Sequence, residues 1–471
     1  PSRPEETMTA TAIERPVPTE IPGPAGDPLL GMARPLRRDP LGTLLEGFAA
    51  HGDLVAYRVG PARGPARLRR RVVAVHEPEE VRRVLTDMDT FTRDTPSYHV
   101  LHELFGGNLV TTNGPTWRRQ KRTLQPLFTR RAVAQYAELI EGEARKAIEQ
   151  APLDADGAVD VAHEMERYAL RVLGHTLFKE AEGIDDDTIA ALERLVPVVG
   201  RRARSRIAQT VRLPLALPTL RNRRFAATRA EVYATVERVL ARRAEREAAG
   251  GAPVPDDLLA RLHGARDPEG DVPLSDDEIR DQALMFLFAG HTTTSNALTT
   301  TLHQLGLHPE LQEQVAQAAA AQDTDLEQPD LVRACVQEAL RLRPPAYVLA
   351  RRTARDTELG GHPVAAGTIV LVSPWVTHRH PDWWDEPERF DPWRFMGGDR
   401  RAKQAWFPFG GGARSCIGRH LALLEASILV RALLREHRLE SLEAEVPLDT
   451  LISMRPSGPV LVRWLPREVP A

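Results

Sequence analysis

Cys416 is one of two cysteines among 471 residues, and it sits in the run Phe409-Gly410-Gly411-Gly412-Ala413-Arg414-Ser415-Cys416-Ile417-Gly418. A lone thiolate on a glycine-rich loop, with an arginine two residues before it, is a candidate axial ligand for haem iron, because few side chains serve there. Such a sulfur is anionic and persists in an apolar pocket only when metal, backbone N–H groups or a cation stabilise it. Gly410, Gly411, Gly412 and Gly418 give the backbone the freedom to turn amides toward it. Arg414 offers a fixed fork of donors suited to a carboxylate, and haem carries two propionates. Phe409 would pack near the sulfur and limit water. From Ile417 to Leu434 apolar residues recur at helical spacing, so Cys416 lies at a helix N-terminus whose dipole favours an anion. The competing reading is a glycine-rich turn around a buried structural cysteine. Cys335 lies on an apolar helical face and reads as core.

Four further stretches carry groups that could act with that sulfur. Ser275-Asp276-Asp277-Glu278 is a capping-box pattern that starts a helix running to about Leu305. It is apolar on nearly all sides around Leu284–Ala289 and should be buried. Ala289-Gly290-His291-Thr292-Thr293-Thr294 follows. Glycine entropy and threonine hydroxyls both weaken a helix, so a local opening able to hold water and a ligand is expected. The alternative is ordinary buried helix with threonines bonded back to carbonyls. Glu338 and Arg341 share a helix face at i and i+3, a helix that ends before Pro344-Pro345. Trp117-Arg118-Arg119-Gln120-Lys121-Arg122 and Arg351-Arg352-Thr353-Ala354-Arg355 are basic runs that, read singly, are solvated faces.

The elements that must position these groups are mostly helical. Patterns of period 3.6 cover about 132–150, 161–177, 226–249, 275–305 and 331–342, broken by Pro- and Gly-bearing loops. Leu54–Val59, Val72–Val75, Thr368–Val372 and Val460–Trp464 read as short strands. The fold class is mainly α with a small β portion. No linker divides the chain, so residues 21–471 are expected to form one large domain behind a flexible arm at 1–20, ordered from Ile21-Pro22-Gly23-Pro24. Lysine plus arginine number 62 against 65 acidic residues, which argues against nucleic-acid or membrane-surface binding. Two cysteines exclude a disulfide scaffold, a four-cysteine iron–sulfur site and a Cys-x-x-Cys-His haem attachment. The N-terminus shows neither a signal core nor a spanning segment, so a cytoplasmic, unanchored monomer is expected.

The cysteine run resembles the haem-binding loop of the cytochrome P-450 family, F-x-x-G-x-R-x-C-x-G, at all five specified positions. Ala289 to Thr294 is similar to the family's A-G-x-[D/E]-T-[T/S], Glu338 and Arg341 to its E-x-x-R, Pro387-Glu388-Arg389-Phe390 to its P-E-R-F, and Trp117 to Lys121 to its W-x-x-x-R. The signatures stand in family order and span roughly two-thirds of the chain. The resemblance implies a P-450 fold with haem b buried between the long central helix and the cysteine-loop helix. It implies Cys416 as the iron ligand, and Arg414, Phe409, Gly410, Gly418, Trp117, Lys121, Arg351, Ala289 and Gly290 as haem contacts. Lysine at 121 replaces the usual arginine and loses its bidentate fork. Thr293 is implied as the hydroxyl that assists oxygen activation. Thr292 stands where the family carries an acid, so proton relay there departs from the pattern. Glu338, Arg341 and Arg389 are implied as a buried bracing network.

The implied activity is monooxygenation of a lipophilic small molecule with O2, as in tailoring of secondary metabolites. Electrons would come from a separate ferredoxin and its reductase, docking on the cysteine side near Arg118, Arg119, Arg122 and Arg419. Substrate contacts are implied in Tyr98–Val110, Leu213–Leu220, Leu287–Ala289 and Ala346–Leu349, with Val110, Leu287, Ala289 and Val348 as named members. A peroxide-using or non-oxygenating haem-thiolate enzyme, and a haem-binding sensor, are the alternatives.

Overall fold

The computed structural model describes residues 20–63, 70–178, 219–248, 257–320, 330–397 and 404–467. All but one residue of the expected arm lies outside that set. At residues 21–24 the chain is tied to the first strand: Ala56 N–H donates to Pro22 O at 2.7 Å. A Cβ at Gly23 would lie 1.9 Å from the Ala56 carbonyl oxygen, so only glycine passes there.

Among the described residues the longest helix is Asp276–Leu307. Ser275 and Glu278 complete its capping box, satisfying amides that a helix start otherwise leaves bare. Nearly every face of it is buried, and it forms the axis of the main hydrophobic core. The helix Val161–Phe178 lies along it, and Gly290 leaves room for Leu173, whose Cδ1 would be 2.8 Å from a Cβ at that position. The opening expected at the threonines does not occur: the helix runs unbroken through them. Thr293 Oγ1 donates to Ala289 O at 2.7 Å, so the hydroxyl bonds within the helix instead of prising it apart. Tertiary packing then outweighs the weak propensity of the Gly-Thr stretch.

The four expected strands form at Leu54–Val59, Arg70–Val75, Ile369–Val372 and Leu461–Pro466. Leu54–Val59, Arg70–Val75, Ile369–Val372, Leu349–Thr353 and Phe91–Thr92 lie in that order in a five-stranded sheet. Its one parallel pairing joins Arg70–Val75 to Ile369–Val372. Alternation along Leu349–Thr353 buries Arg351 while its neighbour Arg352 stays partly exposed. The helix expected over 132–150 divides into Arg130–Ala134 and Ala137–Glu149. The Gln135 side chain donates to Ala132 O, and Tyr136 N–H turns to Val133 O at 3.0 Å, which closes the first piece. No helix among the described residues is long and apolar enough to cross a membrane.

Glu338 and Arg341, on the helix Leu331–Leu342, are both 0% exposed and joined at 2.7 and 2.8 Å. Arg341 also donates to His378 O at 2.8 Å, Pro387 O at 2.6 Å and Arg389 O at 3.0 Å. The third member of the network differs from the expectation. The Arg389 side chain is 61% exposed and pairs with Glu386, contributing only its carbonyl. Arg394, 13% exposed, lies 3.4 Å from Glu338 Oε1 in its place. Pro392-Trp393-Arg394-Phe395 repeats the Pro-x-Arg-Phe pattern five residues later, and a short helical turn at Pro392–Phe395 aims it inward.

Replacing Arg341 by leucine leaves Glu338 buried without its partner and should lower stability by about 3–5 kcal/mol. Arg394→Leu should cost about 1–3 kcal/mol, whereas Arg389→Leu should leave the urea midpoint unchanged. Urea unfolding followed by circular dichroism separates the three.

Candidate active site

The cysteine loop is shaped by turns that only glycine makes cheaply. Gly410 and Gly412 have φ of +69° and +64°, and a Cβ on Gly412 would lie 2.7 Å from Leu85 O. Cys416 N–H donates to Phe409 O at 2.8 Å and Gly410 N–H to Phe407 O at 2.9 Å. These bonds place the sulfur just ahead of the helix Arg419–Glu436. Cys416 keeps accessible surface, and that surface is the wall of an internal cavity of about 310 Å³. Burial pushes its thiol up, while the Gly418 N–H and the charges of Lys121, Arg419 and Arg93 pull it back. Cys335 is fully buried in the core, where burial raises its thiol strongly.

Four cations converge on the same cavity: Arg93, Lys121, Arg351 and Arg414. Burial foremost, then Arg93 and Arg351, push Arg414 down to about 9; burial also lowers Arg351 and Lys121. The Arg414 guanidinium lies 3.9 Å over the Trp117 ring and donates to Leu109 O, Thr112 O and Asn113 Oδ1. Arg93 Nε is buried with no hydrogen-bond partner among the described residues. Among the described residues none of the four is paired with a carboxylate. Burying like charges together is costly unless an anion offsets it, so this wall suits a ligand with more than one carboxylate. The donor set and the cysteine sulfur therefore fit haem. Arg93 was not anticipated, and no spacing in the sequence marks it. Of the expected contacts, Phe409, Gly410, Arg414, Cys416, Gly418, Trp117, Lys121, Arg351, Ala289 and Gly290 all line the cavity.

The remaining walls are largely apolar: Met285, Phe286, Ala289, Thr293 and Ala297 from the central helix, Leu173 and Leu177 from Val161–Phe178, and Val110, Ala346 and Leu349 from loops and sheet. Two expected substrate contacts fall elsewhere. Leu287 is buried on another face of the helix, because the cavity side is taken by positions 285, 286, 289, 290, 293, 294 and 297. Val348 packs with Leu41, Tyr347 and Met454 in a separate cluster. Of the expected turn Leu213–Leu220, positions 213–218 lie outside the described residues, and Leu220 is exposed. Thr293 is on the wall, but Thr292 is not; its hydroxyl lies 3.0 Å from His291 Nε2.

The basic patch is smaller than expected. Arg119 is paired with Glu278, and Arg122 holds Asp267 with two bonds at 3.0 and 2.8 Å. Arg118 lies 3.6 Å from Asp89 in an exposed pair. Arg419 packs over the rings of Trp406 and Phe409.

Residues 54–463 match the family model described as Cytochrome P450, written P-450 here. The chain is similar to the cyclooctat-9-en-7-ol 5-monooxygenase of Streptomyces melanosporofaciens, with 34% identity covering 88% of each chain. It is 33% identical to the cyclooctatin synthase of the same organism, covering 87% of this chain and 88% of the relative. It is 31% identical to the pentalenene oxygenase of Streptomyces avermitilis, covering 88% of this chain and 90% of the relative.

Ala289→Phe should fill the cavity, abolishing ligand-induced spectral change while leaving the unfolding midpoint near that of the parent. Leu287→Ala should do the reverse, costing about 2–5 kcal/mol of stability with ligand titration little altered.

Proposed function

The chain belongs to the cytochrome P-450 family of monooxygenases, and from that premise we propose that it oxygenates a cyclic terpene, with haem b on Cys416 and electrons from a separate ferredoxin and reductase. The observation that carries this reading is that one apolar cavity has a cysteine sulfur, four carboxylate-hungry cations and a threonine hydroxyl on its walls. The terpene class is supported by the relatives named for cyclooctat-9-en-7-ol and pentalenene, both cyclic terpene skeletons, and by walls that offer a substrate mainly aliphatic and aromatic carbon. Haem b, held without thioether bonds, agrees with a chain that lacks a second cysteine near Cys416. Residues 21–471 would form the one catalytic domain.

Bound haem supplies dioxygen activation at iron, and a thiolate ligand favours O–O cleavage. The chain's own residues do the rest. Cys416 would bind as the thiolate, held by the Gly418 N–H and by the positive end of the helix behind it. Arg414, Arg351, Arg93 and Lys121 would hold the two propionates. Phe286, Ala289 and Val110 would place the substrate carbon and keep water out. Thr293 would present its oxygen to the cavity while its proton rests on Ala289 O. Arg118 and Arg419 are the remaining candidates for an acidic ferredoxin to meet.

The reduced carbon-monoxide difference spectrum should show the band of a thiolate-ligated haem, and Cys416→Ser should lose it. Arg414→Leu should retain that band but release haem roughly ten-fold or more faster into apomyoglobin. With O2 and a surrogate ferredoxin system, a cyclic terpene should gain one atom of labelled oxygen. Product formed from peroxide alone, and none from O2 with reductant, would assign the peroxide-using reading instead.

A further inference from the structure

Monooxygenation takes up two protons for each O2 consumed. On the cavity side the turn 289–297 of the central helix offers only hydroxyls, Thr293 and Thr294. Immediately behind them is a titratable row. His291 is 1% exposed, and its Nδ1 lies 2.5 Å from Leu287 O. A carbonyl only accepts, so Nδ1 carries the hydrogen and Nε2 presents a lone pair. That lone pair faces two groups: Thr292 Oγ1 at 3.0 Å and Glu166 Oε1 at 3.8 Å. Glu166 is on the helix Val161–Phe178, with its side chain 21% exposed. The row thus begins at solvent, crosses the helix contact through an imidazole and ends at a hydroxyl one residue from the cavity wall.

We propose that Glu166, His291 and Thr292 relay protons to the cavity, doing through three side chains what one carboxylate at position 292 would do alone. The proposal rests on the monooxygenase reading. In each pass the Glu166 carboxyl gives its proton to His291 Nε2. The imidazolium gives it to Thr292 Oγ1, whose own hydroxyl proton leaves for water beside Thr293. Glu166 is recharged from solvent, so one proton enters, no electron moves and every group ends as it began. The 3.8 Å step takes one bridging water or a small side-chain rotation. Burial, with a smaller contribution from Arg455, holds His291 down to about 4, so it rests neutral and releases a proton readily once charged.

One rival stands on the cavity itself. Glu425 lines it, is 1% exposed, and burial holds its carboxyl well above the usual range. Among the described residues its Oε1 meets no polar partner, so that oxygen has no neighbour to return a proton once it is spent. Glu166 keeps that return path.

The test uses the full-length, haem-loaded enzyme with terpene and the surrogate ferredoxin system, reading product, peroxide and the solvent deuterium effect. Glu166→Gln and Thr292→Val should each raise the share of reductant lost as peroxide roughly ten-fold or more, and the double variant should be no worse than either. Thr292→Glu should restore coupling in the Glu166→Gln background, as should Glu166→Asp in place of Gln. Independently of turnover, the His291 ring nitrogen resonance in the diamagnetic carbon-monoxide form should move in Thr292→Val and Glu166→Gln. Unchanged coupling in Glu166→Gln, or peroxide leakage produced by Glu425→Gln alone, overturns the relay while product formation keeps the monooxygenase reading. A parent enzyme that yields no product from O2 overturns both.

Discussion

The arrangement depends on the Glu338–Arg341 pair, because its hydrogen bonds are what fix the approach to the cysteine loop. Arg341 donates to His378 O, and the Arg341 carbonyl lies 3.1 Å from His378 Nδ1. His378 Nε2 in turn accepts the N–H of Phe407 at 3.0 Å, two residues before Phe409. That last bond needs a neutral ring, and burial holds His378 far below its ordinary range. A carboxylate and a guanidinium out of water are expensive on their own. Here the guanidinium reaches three carbonyls as well as its partner, and Asp391 N–H adds a bond to Glu338 at 2.9 Å. The pair is best understood as specifying the path of the chain rather than as adding net stability.

From that anchor the electrostatics of the cavity follow. A thiol raised by burial and guanidinium and ammonium groups lowered by burial line the same cavity. Each shift runs against the charged form, which is what desolvation does. Both would be reversed by a group that presents a cationic metal to the sulfur and carboxylates to the cations. The polypeptide by itself therefore holds these side chains in states that a bound haem would relieve, and haem binding adds to folding stability.

What could be read from the sequence was whatever local spacing dictates. The glycine turns around Cys416, the capping box at Ser275 and the helical face of Glu338 and Arg341 are set by neighbours within a few residues, and they form as read. Contacts between distant segments were less legible. Arg389 and Arg394 both satisfy a Pro-x-Arg-Phe pattern, and only the packing of the Pro392–Phe395 turn against Leu331–Leu342 selects the second. Leu287 and Val348 are as apolar as the residues that line the cavity, and side-chain direction, not composition, excludes them. Arg93 belongs to no motif; the fold alone brings it beside Arg414. The threonine stretch stays helical because Leu173 packs against the helix at Gly290, a tertiary contact that propensity, which counts the helix in isolation, does not include.

Thr292 shows how the same packing changes chemistry. A carboxylate at that position would be buried beside the neutral His291 and would need its own cation or proton. A hydroxyl needs neither: it donates to Nε2 and leaves the imidazole neutral, which is the form that burial already favours. Replacing acid by alcohol thus removes a desolvation cost from the centre of the longest described helix and moves the ionisable carboxylate outward to Glu166, where water still reaches it. The exchange of a short path for a longer one is consistent with the unbroken helix. With His291, Thr292 and Thr293 bonded to Leu287 O, Ala289 O and one another, this stretch of the helix has no electrostatic reason to open.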